Sequence, residues 1–68
     1  MKKIKWPDNL ENSVNSLIFL RTTYRKLRAF CSFEERIWLI TGNDGDLEVY
    51  AEKLHRLARK YKIIEENK

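Results

Sequence analysis

The residues of this chain that could supply a nucleophile activated by a histidine base are few: one cysteine, Cys31, one histidine, His55, and scattered serines. A nucleophile–base pair would have to be Cys31 or a serine with His55, and no spacing in the sequence points to either. Cys31 reads more simply as a small buried hydrophobe. His55 flanks an apolar helical stripe and reads as a surface side chain. No enzymatic activity is expected. A structural zinc needs several Cys or His ligands at set spacings, so neither a metal nor a cofactor is expected. Gly42-Asn43-Asp44-Gly45-Asp46 has the composition of a calcium loop but not its register. With Gly45 at the obligatory glycine, Ile40 and Ala51 fall where the first ligand and the bidentate carboxylate belong. Two glycines three apart are too few for a phosphate-binding loop.

Binding chemistry is better represented. Arg21, Arg25 and Arg28 follow one another at i, i+4, i+7, so one helix flank presents three planar guanidinium groups that can grip carboxylates or phosphates in pairs. Arg56, Arg59 and Lys60 form a second basic group near the C-terminus. The net charge is +4, from 14 Lys+Arg against 10 Asp+Glu. That excess permits an acidic protein or a nucleic acid as partner and demands neither. A helix-turn-helix built from the second and third helices would place Asp46, Glu48 and Glu52 against phosphates, which repel them. A nucleic acid would therefore be bound by the basic end of the fold, at Arg21, Arg25, Arg28, Arg56, Arg59 and Lys60, mainly through its backbone.

The elements that carry these residues are set off by Pro7, Gly42 and Gly45. Asp8-Asn9-Leu10-Glu11 reads as a capping box opening a helix over about 8–31. Its apolar stripe is Leu10, Leu17, Leu20, Tyr24, Leu27 and Cys31, with Ser13 as the one polar member. Ser32-Phe33-Glu34-Glu35 is a second capping box, starting a helix over 33–41 that closes at Gly42. Asp46 caps a third helix over about 46–63, with the stripe Leu47, Tyr50, Ala51, Leu54, Leu57, Ala58 and Tyr61. The expected fold is all-α, a single-domain three-helix bundle over 1–68 with the first and third helices roughly parallel and with short flexible ends, the tail from Glu65 among them. A minor alternative is helix–hairpin–helix, because Arg36 to Thr41 is rich in β-formers and Asn-Asp-Gly is a hairpin turn signal.

Two apolar quartets, Leu17-Ile18-Phe19-Leu20 and Ile37-Trp38-Leu39-Ile40, exceed what one-faced helices require. On these helices Phe19 and Phe30 point away from the first stripe. Trp38 and Leu39 point away from a Phe33-Ile37-Ile40 face. These four, with Arg21, Arg25 and Arg28, are the expected contact residues of a small regulatory or adaptor-type protein that docks on a protein partner. A chain of 68 residues buries only about 60% of its unfolded surface, and one cysteine makes no disulfide. A homodimer is therefore expected as support. The basic start, with no apolar stretch behind it, is not read as a signal peptide. The apolar runs are far below the ~20 residues that cross a membrane, and a lone thiol suits a reducing compartment. The expected location is the cytoplasm, or the host cytoplasm if a virus or mobile element encodes the chain.

Overall fold

The structure, a computed structural model, describes residues 3–7 and 14–65. It is an all-α arrangement of three helices, α1 (Val14–Leu27), α2 (Phe33–Ile40) and α3 (Leu47–Lys60). α1 and α2 each pack on α3, and their backbones do not approach one another. α3 is thus the shared wall of the core, and it has the cleanest apolar stripe of the three. Ala51, Leu54, Leu57 and Ala58 are buried, with Leu47, Tyr50 and Tyr61 packed at the margin. This is the stripe expected from the sequence. Among the described residues no helix is long and apolar enough to cross a membrane.

The hairpin alternative is overturned, because Arg36–Tyr50 contains the end of α2, a turn and the start of α3. Ser32 holds α2's first turn by accepting from the Glu35 amide at 3.2 Å, while its own amide donates to the Glu35 carboxylate at 2.9 Å. Gly42 and Gly45 sit at φ +74°, where a side chain is strained, and make the turn after Thr41. The Asn43 side-chain amide donates to the Leu39 carbonyl at 2.7 Å, so it closes α2 instead of turning a hairpin. Asp46 caps α3 by accepting from the Glu48 amide at 2.9 Å.

Both long helices end earlier than expected. α1 stops at Leu27, where the amides of Phe30 and Cys31 turn back onto the Leu27 carbonyl and lead into the extended Ser32. The expected N-terminal part of that helix, with its capping box at Asp8–Glu11, lies outside the described residues. α3 stops at Lys60. The Ile63 amide donates to the Ala58 carbonyl and the Lys62 amide to the Arg59 carbonyl, with Lys62 at φ +57°. That is a Schellman motif with lysine at the left-handed position, so no glycine announces it.

The α1 stripe is also rotated from the one expected. Ser16, Leu20, Thr23 and Leu27 are its buried residues, and Leu17 is exposed. Thr23 can occupy the core because its hydroxyl donates to the Phe19 carbonyl at 2.9 Å. Its small side chain and that of Ser16 face a helix whose own buried face includes Ala51 and Ala58, and small residues let helix axes approach.

The segment around Ile4 is joined to the one that follows α3. Trp6 precedes Pro7, which biases it to extended backbone. The Ile4 amide donates to the Ile63 carbonyl and the Glu65 amide to the Ile4 carbonyl, each at 2.8 Å, forming a parallel bridge between Ile4 and Ile64. Glu65, expected in a frayed tail, is therefore paired; residues 66–68 lie outside the described residues. The Trp6 ring meets Phe19 edge-on at 5.1 Å and His55 at 4.8 Å. Burial under this contact lowers the His55 pKa, and Arg59 adds to the effect.

Two stability outcomes follow. Trp6→Ala should cost about 2–3 kcal/mol in urea unfolding followed by circular dichroism, because it uncovers both Phe19 and His55. Lys62→Gly should add about 0.5–1 kcal/mol in the same assay by relieving the left-handed backbone.

Candidate functional site

α2 is apolar on two sides, and its orientation decides what the molecule displays. At about 100° per residue, Phe33, Ile37 and Ile40 share one face, and Leu39 lies on the opposite side. The structure buries Leu39 completely and leaves Phe33, Ile37 and Ile40 exposed at 68%, 43% and 59%. This reverses the expected roll of the helix, in which the Phe33-Ile37-Ile40 face was the inner one.

Polar contacts at both ends of α2 explain the reversal. The Glu35 carboxylate accepts from the Ser32 amide at 2.9 Å, from Lys60 Nζ at 2.7 Å and from the Tyr61 hydroxyl. It thereby joins the start of α2 to the end of α3. These donors hold Glu35 near pKa 2, Lys60 first, then Tyr61 and the Ser32 amide. The same contacts raise the pKa of Lys60 and of Tyr61. At the other end Lys53 Nζ donates to the Trp38 carbonyl at 3.0 Å and the Thr41 carbonyl at 2.6 Å. A cation there also suits the negative end of the helix dipole. Rolling α2 by half a turn would carry Glu35 away from Lys60 and Tyr61, at the loss of a charge-assisted network.

α1 has an outward strip of its own. Val14 and Ile18 are exposed at 72% and 56%, on the side opposite Leu20 and Thr23. Arg21 and Arg25 continue the same strip and, with Ile18 and Thr22, border a shallow depression. Apolar contact and guanidinium groups are thus in line on one helix face.

The expected contact residues divide accordingly. Arg21, Arg25 and Arg28 are all exposed. Phe30 is exposed and lies 6.2 Å, ring to ring, from Tyr61. Trp38 is partly exposed with Lys53 Nζ 5.3 Å over its ring. Two expectations are corrected. Leu39 is core, for the reason just given, and Phe19 is covered by Trp6, which lies too far away in sequence for helical periodicity to register. Phe33, Ile37 and Ile40 are the exposed residues that sequence reasoning placed inside; the second quartet gave the signal, but not its direction.

The arginine row spans different parts of α3 along its length. Arg21 and Tyr24 lie within electrostatic reach of Tyr50 in the first turn of α3, whereas Arg56, Arg59 and Lys60 lie farther along it. Just past Arg28, Phe30 and Cys31 lie beside Tyr61 and Lys60 at the end of α3. Lys60 is engaged by Glu35, and Arg56 and Arg59 are exposed.

Cys31 and His55 have different surroundings. Cys31 lies among Glu35, Arg36 and Lys60, with its pKa raised first by burial and then by Glu35. His55 lies against Trp6. Among the described residues no three His, Cys, Asp or Glu side chains gather as a metal site would require. The chain matches no protein-family model, no curated protein and no solved structure.

The Glu35 network carries a pH dependence. A carboxyl whose folded pKa is depressed stabilises the fold above its unfolded value, and that contribution is lost as pH falls through the folded value. Here the window runs from about 4.5 down to about 2. Thermal melts across this range should show a steeper acid loss of Tm in the wild type than in Glu35→Gln. Parallel pH profiles for the two proteins would be the contrary result.

Proposed function

We propose that this chain is a non-enzymatic binding protein of the adaptor or inhibitor kind, which docks on another protein. The observation that carries the reading is that α1 and α2 each turn an apolar strip away from α3, the helix that holds the core. Single exposed apolar side chains are ordinary on a soluble protein. Helix-spaced sets on two elements of so short a chain are more than that, and contiguous apolar surface is the usual mark of an interface.

The α1 strip is the better candidate for a foreign partner. Val14 and Ile18 supply apolar contact, and Arg21 and Arg25 adjoin them on the same face. Arginine beside apolar anchors is a common hot-spot composition, and its guanidinium can orient an acidic partner surface through paired hydrogen bonds. Phe30 and Arg28, exposed just beyond the end of α1, extend the same supply of contacts.

A second reading is a small DNA- or RNA-binding regulator. What favours it is the exposure of Arg21, Arg25 and Arg28 on one flank, together with the net charge of +4. Such binding would rest on phosphate contacts and fall steeply with salt.

One experiment separates the two. The tagged protein is used to capture partners from lysate of its source cells, with and without nuclease, beside Ile18→Glu and Arg21→Ala/Arg25→Ala/Arg28→Ala variants. The docking reading expects a defined protein that survives nuclease and falls about tenfold or more with Ile18→Glu. Material lost to nuclease and to the arginine variant, and retained by Ile18→Glu, would establish the nucleic-acid reading instead.

A further inference from the structure

The α2 ridge has a polarity that the α1 strip lacks. Phe33, Ile37 and Ile40 lie along its crest, and one flank carries charge of opposite sign at its two ends. Glu34 stands exposed in the first turn. At the far end of the same flank, Lys53 reaches across from α3 to the Trp38 and Thr41 carbonyls. At about 100° per residue, Glu34, Trp38 and Thr41 all fall to one side of the crest.

We propose that this ridge pairs with the same ridge of a second copy of the chain, helix against helix in antiparallel sense about a two-fold axis near Ile37. The proposal rests on the protein-docking reading above and names a partner for the α2 face alone. Its basis is charge complementarity. A two-fold axis perpendicular to the helices keeps like flanks together and reverses the ends, so each Glu34 comes beside the other copy's Lys53, and the contact occurs twice. Phe33 of one copy then covers the Ile40 end of the other, and Ile37 meets its own counterpart. A parallel pair would instead set the two Glu34–Glu35 ends side by side. The helix dipoles, which are opposed in the antiparallel pair, would then add to that repulsion.

The opposite flank carries a cost. Arg36 lies there, its guanidinium 5.9 Å over the ring of its own Phe33, and the axis brings the two Arg36 side chains near each other. The area is small as well. A standard interface covers about 800 Å² per partner, a large share of a molecule whose whole accessible surface is 5457 Å², and three crest side chains do not reach it. The dimer therefore belongs to the weak class.

The test is sedimentation of the full chain from about 10 µM to about 1 mM, the range that weak interfaces require, joined to cysteine crosslinking in a Cys31→Ser background. The wild type should move from the 8.2 kDa monomer toward dimer with concentration. Ile37→Glu should weaken association by about tenfold or more, and Glu34→Lys should weaken it too. Both sites are exposed, and far-UV circular dichroism checks that the helices are retained. Ile37→Cys should crosslink to itself, whereas Phe33→Cys and Ile40→Cys should crosslink only when mixed. Monomer at every concentration overturns the proposal; the capture experiment reads the α1 face independently of that result. A dimer indifferent to Ile37→Glu, or one crosslinked through Val14→Cys or Ile18→Cys, overturns it as well. Self-crosslinking of Phe33→Cys overturns the antiparallel sense.

Discussion

The Glu35 carboxylate is the contact on which the rest of the arrangement turns. It closes the capping box of α2 through Ser32 and reaches Lys60 and Tyr61 at the end of α3. α2 has eight residues, is linked to its neighbours by short turns and is apolar on two opposite sides. Hydrophobic burial is non-directional, so by itself it barely distinguishes Leu39 inside from Ile37 and Ile40 inside. Hydrogen bonds depend on distance and angle, and those of Glu35 with Lys60 and Tyr61 form in only one of the two rolls. Lys53, bound to carbonyls at the other end of the helix, holds the same orientation. A polar network thus selects which apolar face becomes core and which becomes surface.

A second constraint is the shortage of material to cover a core. α3 is the one wall that both other helices share, and a third side is supplied by the segments 3–7 and 63–65, bridged at Ile4 and Ile64. Ile63 and Ile64 are buried, and Ile4 and Trp6 pack against the core. Trp6 covers the Phe19 side of α1, where a third helix face would otherwise be needed. Among the described residues, the outer side of α1 and the outer side of α2 stay exposed. The described residues thus form a closed inner seam with two open strips.

The two strips differ in a way that bears on partners. On α1 the apolar end runs into arginine, which suits a surface of unlike composition. On α2 the crest is apolar throughout and its charged flank changes sign from one end to the other, the pattern that a reversed copy of itself would match. Each face therefore has its own chemistry.

Local interactions were readable from the sequence. Ser32 with Glu35 and Asp46 with Glu48 are contacts over a few residues, and such spacings fix caps wherever the chain folds. The stripe of α3 was equally clear, since its apolar residues occupy one face and leave no second choice. The helix ends at Leu27 and Lys60 were not readable. Lys62 stands in the left-handed position with no glycine to mark it, and the turn after Leu27 is drawn in by the cap that follows. Nor were the positions of Phe19 and Leu39, because they depend on Trp6, Lys53, Lys60 and Tyr61, partners a dozen or more residues away. The sequence alone thus determined how many helices form, where two of them begin, and that apolar surface exceeds the core. Only the tertiary structure decided which face of α1 and of α2 is left outside, because that choice rests on directional contacts between residues that periodicity cannot relate.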